Sequence, residues 1–308
     1  MKAAIKDLKI GVLMGGVSAE REISLKTGKA VADSLASMGY NVKKFDLDKN
    51  FFKEIDSINI CFNALHGTFG EDGKIQGIFE LLDIPYTGSG VEASALAMDK
   101  IKSKIIFKYY GLTVPDFFSV KKGEKAELIN KKMNNIKLPY FIKPNAQGSS
   151  VGAAIAYSEK EFYLAVEDAF KYDDEIIVEE YIIGREIQFA VFSGKSLGCV
   201  EIKPDDNFYS YSAKYTKGKT KYILNPDLTE EEYKACENAS VLAHNSLDCK
   251  GITRTDIILS DSGKVYVLEI NTLPGLTEFS LVPMIAQKKG IDFNNLIENI
   301  IENAISCE

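Results

Sequence analysis

The sequence predicts an α/β protein built in three units: a parallel-sheet unit over residues 1–95, a small α+β unit over 96–183, and an α+β unit with an antiparallel sheet over 184–308. Three observations carry this. Short apolar runs alternate with helical patterns in the first third, which is the signature of a parallel sheet with crossover helices. A Gly/Ser-rich hairpin punctuates the second third. In the last third, strand-like runs pair around tight turns, with one long helix between them and amphipathic helices at the end.

The bulk composition narrows the function. A chain of 308 residues, 45% hydrophobic and 26% charged, has ample material for several cores. A formal charge of −7 with no basic arm argues against nucleic acid or a membrane surface as partner. The start, Met-Lys-Ala-Ala-Ile-Lys-Asp, lacks the apolar core of a signal peptide, and no apolar stretch reaches spanning length, so a cytoplasmic protein is expected. Cys61, Cys199, Cys236, Cys249 and Cys307 are odd in number and widely spaced, which reads as free thiols in a reducing compartment. With only His66 and His244 in the chain, and Cys61 inside an apolar run, a cysteine nucleophile is disfavoured.

In the first unit, Leu8 to Met14 reads as a strand that ends in Gly15-Gly16. Ser18 follows as an N-cap, then a helix with Ile23, Val31, Leu35 and Met38 on one side. Strands over Val42 to Leu47 and Ile58 to Ala64, a helix over Ile75 to Leu82 and a strand at Ile84 to Thr87 complete the alternation. Ligands of such sheets lie beyond the carboxyl ends of the strands, so Glu20, the His66-Gly67-Thr68 loop and Thr87 to Gly90 share one rim. The Gly15-Gly16 turn lacks Gly-x-Gly-x-x-Gly spacing and is a poor dinucleotide site. Taken singly, Glu20 is a carboxylate at the positive end of a helix and His66 a hydrogen-bonded loop residue.

A single helix is expected over Ala93 to Tyr110, crossing into the second unit. After a helix at Lys125 to Asn135, a strand ending at Lys143-Pro144, the turn Gly148-Ser-Ser-Val-Gly152 and a strand at Ala153 to Ala156 form a hairpin whose N–H and hydroxyl groups can wrap phosphate oxygens. Serine–glycine turns without ligands have the same pattern. Glu175 to Tyr181 and Gly184-Arg-Glu186 read as two strands joined by a hinge suited to an adenine ring and a ribose, or as an edge strand with solvated glutamates.

Strands at Ile187 to Phe192 and Gly198 to Ile202 open the third unit. The tract Phe208 to Lys221, with four lysines and three tyrosines, is long for a loop and reads as a lid over an anion. Thr229 and Glu232 form a capping box for a helix to Leu247, in which His244 is structural. The runs Ile252 to Ser260 and Lys264 to Thr272 flank a hairpin turn. A two-residue loop at Ser262-Gly263 sets Arg254 opposite Asn271 and Asp256 opposite Glu269, all four on one face. Thr255, Ile257, Leu259, Tyr266, Leu268 and Ile270 then share the core face. A three-residue loop needs a bulge to restore that register. Two carboxylates and an amide oxygen on rigid strands suit a hard cation such as Mg²⁺; the same residues also fit a solvated face of ion pairs. Ser280 caps a helix whose first N–H groups favour a carboxylate, and a helix from Ile291 to Ile305 closes the chain.

Gly15-Gly-Val-Ser-Ala-Glu-Arg-Glu-Ile-Ser24, Ala64-Leu-His-Gly67 with Gly70-Glu-Asp-Gly73, Tyr86 to Gly90, Met98-Asp-Lys100, Lys143-Pro144, Gly148 to Gly152, Ala213-Lys-Tyr215, Arg254-Thr-Asp256 and Glu269 to Gly275 with Ser280-Leu281 resemble, in order and across nearly the whole chain, the D-alanine–D-alanine ligases of the ATP-grasp superfamily. The resemblance implies an ATP-grasp fold with an N-terminal Rossmann-like unit. It also implies ATP-dependent joining of two D-alanines through an acyl phosphate for peptidoglycan precursors, with ATP and Mg²⁺ (or Mn²⁺), in a homodimer.

By the same resemblance Asp256, Glu269 and Asn271 hold the metal, and Arg254 with the Gly275 N–H forms an oxyanion hole. Lys100, Lys143 and Lys214 meet ATP phosphates under Gly148, Ser149, Ser150 and Val151. Glu179, Glu180, Tyr181 and Ile182 take the adenine and Glu186 the ribose. Glu20 and His66 attend the first D-alanine, and the Ser280 and Leu281 N–H groups the second carboxylate. Tyr215, Ser149 and Glu20 form the hydrogen-bonded set that closes the lid. Relatives that use D-lactate depart from the pattern at the lid tyrosine, and those that use D-serine at the helix-start glutamate; Tyr215 and Glu20 keep the D-alanine pattern. Thr255 stands where a more apolar residue is expected. Two other readings belong beside this one: another carboxylate–amine ligase of the superfamily, or a nucleotide-binding module without catalysis.

Overall fold

The structure, a computed structural model, describes residues 6–48, 51–205, 216 and 218–306. Three sheets organise it. The first is parallel, in the order β2-β1-β3, from β1 (Lys9–Met14), β2 (Asn41–Asp46) and β3 (Ile60–Asn63). The crossover helix α1 (Arg21–Ser37) buries Val31, Ala32 and Leu35 against it. A short helix α2 (Phe51–Glu54) and α3 (Lys74–Leu81) cover the other face with Phe51 and Phe79. Ile84 to Thr87, expected as a strand, makes only an isolated parallel bridge at Tyr86 to Cys61.

The expected helix over Ala93 to Tyr110 is two helices, α4 (Val91–Met98) and α5 (Lys100–Tyr109). Asp99 between them is extended and caps α5, its carboxylate accepting from the Lys102 N–H at 3.0 Å. The second sheet is antiparallel, ordered β4-β7-β5-β6, from β4 (Phe117–Lys121), β5 (Tyr140–Pro144), β6 (Ala154–Ala156) and β7 (Glu175–Glu180). Helices α6 (Ala126–Met133) and α7 (Glu159–Ala169) pack on its back, where Phe118, Tyr140 and Phe162 form an edge-to-face and tilted cluster.

The third sheet runs β10-β9-β8-β11-β12, from β8 (Gly184–Phe192), β9 (Lys195–Pro204), β10 (Thr220–Ile223), β11 (Ile252–Ser260) and β12 (Val265–Asn271). Helix α8 (Glu230–Ser246) starts with the predicted capping box at Thr229 and Glu232 and lies on the core face. His244 is buried in it, paired through Nδ1 with the Thr253 hydroxyl at 2.8 Å. Thr255 also faces that core, fully buried, its hydroxyl donating to the Ser240 carbonyl at 3.5 Å. Helices α9 (Leu281–Lys288) and α10 (Phe293–Ser306) close the opposite side. Their Val282, Ile285, Ile297 and Ile301 join Ile10 and Val12 of the first sheet to Val200 and Ile202 of the third in one core. That shared core fixes the rim of the first sheet over the third, which is what places the two sets of loops face to face.

The β11–β12 register is the predicted one where it matters. Arg254 pairs with Asn271 and Asp256 with Glu269. The turn, however, holds three residues, Asp261 to Gly263, between Ser260 and Lys264, and the ladder near it is shifted by one. A bulge between Asp256 and Ile257 absorbs the shift, with Leu268 as the extra residue. In consequence Val265 and Val267 take the core face, while Tyr266 and Leu268, expected there, are half-buried on the other. Cys61, Cys199, Cys236 and Cys249 are buried free thiols, each raised by burial; Cys236 reaches about 11. Cys307 lies outside the described residues.

Candidate active site

Two clefts meet between the sheets, and Lys100, Gln147 and Glu269 line both. The first lies between the second and third sheets. Its apolar walls are Phe141, Val151, Ile258 and Leu268, and its polar groups are Lys143, Glu179, Glu180, Glu186 and Asp256. Ser150, Tyr181 and Ile182 of the predicted nucleotide set line it too, whereas Gly148 and Ser149 of that set line the second cleft. Flat apolar walls with a few convergent charges suit an aromatic ring joined to a polyanion.

Glu179 is the buried anchor of this cleft. Its carboxylate meets the Lys104 ammonium at 2.8 Å and the Lys143 ammonium at 3.0 Å, with all three side chains nearly or wholly buried. Burial, with a smaller push from the Lys143 ammonium, lowers Lys104 to about 8 even though the Glu179 carboxylate opposes it. Lys143 suffers the same burial, yet the carboxylates of Glu179 and Glu269 hold it above its ordinary value. Glu179, against its own burial, is held low by the two lysines. Lys104 was not legible as a site residue, because a lysine on an amphipathic helix reads as solvated; only its contact with Glu179 reveals it.

Lys100 reaches the first cleft by a chain of local bonds. Asn145, at the end of β5, donates to Asp99 at 2.9 Å and accepts the Ile101 N–H at 2.9 Å, which pins the start of α5 to the hairpin at Gly148. Lys100 then donates to the Gln147 carbonyl at 2.7 Å and lies 3.6 Å from Glu269. The hairpin itself is strained in a useful way: Ser149 and Ser150 both sit in the left-handed region, at φ 53° and 56°. Such residues cost energy and mark a loop held in one shape by its neighbours.

The second cleft lies under the rim of the first sheet and holds Glu20, His66, Gly148, Ser149, Arg254, Asn271, Gly275, Ser280 and Leu281. Ser18 is not the helix cap it was expected to be: its hydroxyl donates to the His66 carbonyl at 2.6 Å, and Glu20 occupies the N-cap position. The Glu20 side chain makes no cap bond to α1 and instead accepts from the Ser149 hydroxyl. A Cβ on Gly148 or Gly67 would lie 2.7 or 2.9 Å from Glu20 Oε2, so a side chain at either position displaces that carboxylate. His66 is buried, its Nε2 3.0 Å from the Thr27 hydroxyl and its Nδ1 3.6 Å from Glu71. Ser280 stands at the N-cap of α9 with its hydroxyl turned back to the Thr277 N–H at 3.0 Å, so its side chain does not cap the first turn.

At the junction, Arg254 grips Asp256 through Nε at 2.7 Å and Nη2 at 3.0 Å. Asn271 Oδ1 accepts the Leu273 N–H at 2.9 Å and keeps a second lone pair. No group of three His, Cys, Asp or Glu side chains converges among the described residues, so a cation here needs the Asn271 amide oxygen beside the two carboxylates. That all-oxygen set fits Mg²⁺, which binds few protein ligands and keeps waters or phosphates. Lys214 and Tyr215 lie outside the described residues.

Models of the D-ala D-ala ligase C-terminus and N-terminus match residues 106–302 and 48–89. The chain belongs to the D-alanine–D-alanine ligase family. It is 45% identical over 302 residues to the D-alanine–D-alanine ligase of Geotalea uraniireducens, spanning 97% of this chain and 96% of that one. The Geobacter sulfurreducens ligase is 44% identical over 303 residues, 97% of this chain and 95% of its own. The Bacillus anthracis D-alanine–D-alanine ligase complexed with ATP superposes with a TM-score of 0.86 at 34% identity, covering 97% of this chain and 98% of that one. A D-Ala:D-Ser ligase, VanG of Enterococcus faecalis, reaches 0.85 at 29% identity over 96% and 99% of the two chains. The predicted ATP-grasp architecture is thus the observed one.

Proposed function

We propose that the protein condenses two D-alanines into D-alanyl-D-alanine, converting ATP to ADP and phosphate, to supply peptidoglycan precursors. The observation that carries it is the junction: a cleft suited to a nucleotide opens at Lys100 and Glu269 into a wider cleft with a carboxylate at one end and a helix N-terminus at the other.

Adenine fits between Phe141 and Leu268, with Glu179 to Ile182 at its edge and Glu186 near the ribose. Lys100, Lys143 and the N–H groups of Gly148 to Val151 face the phosphates. Asp256, Glu269 and Asn271 would hold Mg²⁺, or Mn²⁺ in its place, which supplies charge neutralisation at the transferring phosphoryl group. Glu20, steadied by Ser149, takes the ammonium of the first D-alanine beside His66, and leaves its carboxylate to attack the γ-phosphate. The acyl phosphate that forms turns a poor leaving group into phosphate. The second D-alanine, its carboxylate on the Ser280 and Leu281 N–H groups, presents its amine to that carbonyl. Arg254 and the Gly275 N–H stabilise the oxyanion that develops. The three units at 1–95, 96–183 and 184–308, a cytoplasmic location and a homodimer complete the proposal; sedimentation of the purified protein tests the last.

The decisive experiment is a coupled phosphate-release and product assay with D-alanine, D-serine and D-lactate in parallel. D-alanyl-D-alanine as the best product is expected, with no turnover of L-alanine. A better product from D-serine, as the name of the VanG relative raises, would displace the D-alanine assignment. ATP that survives with every amino acid would leave a binding module.

A further inference from the structure

We propose that Gln188 is a positioning residue that ties the carboxylate of Glu186 to that of Asp256, so that nucleotide and metal bind as a coupled pair. The inference rests on the reading above, which gives Glu186 the ribose and Asp256 the metal.

Gln188 lies in the middle of β8, opposite Asp256 on β11, and is wholly buried. Its amide nitrogen donates to Glu186 Oε1 at 3.0 Å and to Asp256 Oδ2 at 3.2 Å. One carboxamide therefore spends both N–H groups on two carboxylates that face different ligands. Its own oxygen, Oε1, is buried without a hydrogen-bond partner among the described residues. Rotating the amide would set that oxygen against two carboxylates, so only the observed orientation is tenable. An apolar side chain would avoid the orphaned oxygen altogether, which points to the two N–H bonds as the reason for a glutamine at this place.

The arrangement also resolves a conflict at the junction. Arg254 occupies both oxygens of Asp256 here, yet the proposed reaction needs the guanidinium at the oxyanion. When Arg254 turns to the substrate, the Gln188 N–H remains on Oδ2 and keeps Asp256 aimed, with Oδ1 open to the cation. A ribose that engages Glu186 steadies the same amide from its other side. Binding at either carboxylate thereby favours the geometry needed at the other, which is a coupling free energy between two sites.

The test is calorimetric titration of ADP in EDTA and in Mg²⁺, for the parent protein and for Gln188→Met and Glu186→Gln. The parent should bind ADP more tightly with Mg²⁺. Gln188→Met should reduce that Mg²⁺-linked gain about tenfold, the loss of roughly one charge-assisted hydrogen bond. Glu186→Gln, on a half-buried side chain with no metal contact in this reading, should also reduce it and guards against a glutamine variant that fails to fold. An unchanged Mg²⁺-linked gain in both variants, or an equal loss of ADP affinity with and without Mg²⁺, would overturn the coupling while leaving the site reading intact. ADP binding indifferent to Mg²⁺ in the parent and in Asp256→Asn would instead remove the metal assignment and the coupling with it.

Discussion

The Ser149 hydroxyl donates to the Glu20 carboxylate, joining the phosphate hairpin of the second sheet to the first helix of the first sheet. In the proposed reaction this bond ties the loop over the nucleotide to the pocket for the first D-alanine, each holding a side chain of the other in place. Ser149→Ala should therefore act mainly on D-alanine. A hydrogen bond to a charged group contributes about 1.5–3 kcal/mol, so kcat/KM for D-alanine should fall roughly 10- to 100-fold. The KM for ATP should move little. Steady-state kinetics with each substrate varied in turn separates the two, and a loss confined to ATP would count against the pairing.

Gly148→Ala tests the same contact from the other side. The added Cβ would lie 2.7 Å from Glu20 Oε2, so Glu20 or the hairpin must shift. The expected result is a larger loss of D-alanine turnover than Ser149→Ala causes, with the melting midpoint nearly unchanged because the loop is at the surface of the cleft. Full activity in Gly148→Ala would show that Glu20 moves away at no cost and does not hold the substrate.

Much of this geometry is legible in the sequence. The Arg254 to Asn271 face followed from strand alternation, and the capping box at Thr229 and the hairpin at Gly148 followed from local chemistry. The misses have physical causes. Leu268 lines the cleft between the second and third sheets because a bulge turns it, and one extra residue in a turn leaves no mark on apolar periodicity. Asp99 splits a helix because Asn145, far along the chain, holds its carboxylate. Lys104 and Gln188 matter through partners on other elements, which no spacing rule reports. Site residue identities came from resemblance; their faces came from geometry.

The Lys104–Glu179–Lys143 triad predicts a stability effect out of proportion to its distance from solvent-exposed chemistry. Lys104→Met leaves Glu179 buried with one cation in place of two. Removing one partner of a buried ion pair costs about 3–5 kcal/mol. Chemical denaturation should read a loss of that size, with ATP binding weakened as well because Glu179 and Lys143 both line the nucleotide cleft. A variant as stable as the parent would mean that Lys143 alone satisfies Glu179.

His244 supplies a pH dependence. Burial lowers its pKa from 6.5 to about 4, so the folded protein holds it neutral while the unfolded chain takes up a proton first. The unfolded state therefore binds more protons between pH 6.5 and 4, and stability present above pH 6.5 is lost as pH falls through that window. The loss attributable to His244 is on the order of 3 kcal/mol. Urea denaturation of the parent and of His244→Gln at pH 7.5 and 5 should show a stability gap that narrows on acidification. A gap constant across the window would place the acid sensitivity elsewhere.

Metal dependence gives the sharpest test of the junction. Asp256 and Glu269 face each other across β11 and β12, and Asn271 is the third oxygen on that face. Asp256→Asn keeps the shape but takes away the charge that both Arg254 and a cation need. Glu269→Gln keeps Asp256 and its arginine intact, so it isolates the metal and the Lys100 contact at 3.6 Å. Both variants should lose phosphate release by several orders of magnitude, and excess Mg²⁺ should restore Glu269→Gln in part but not Asp256→Asn. EDTA should abolish turnover of the parent, with recovery on adding Mg²⁺ or Mn²⁺. Circular dichroism of the two variants should match the parent, because the face lines a cleft and the β-ladder behind it is apolar. Near-normal phosphate release in both would show that these carboxylates are structural ion pairs, and the cation would then have to lie elsewhere along the cleft.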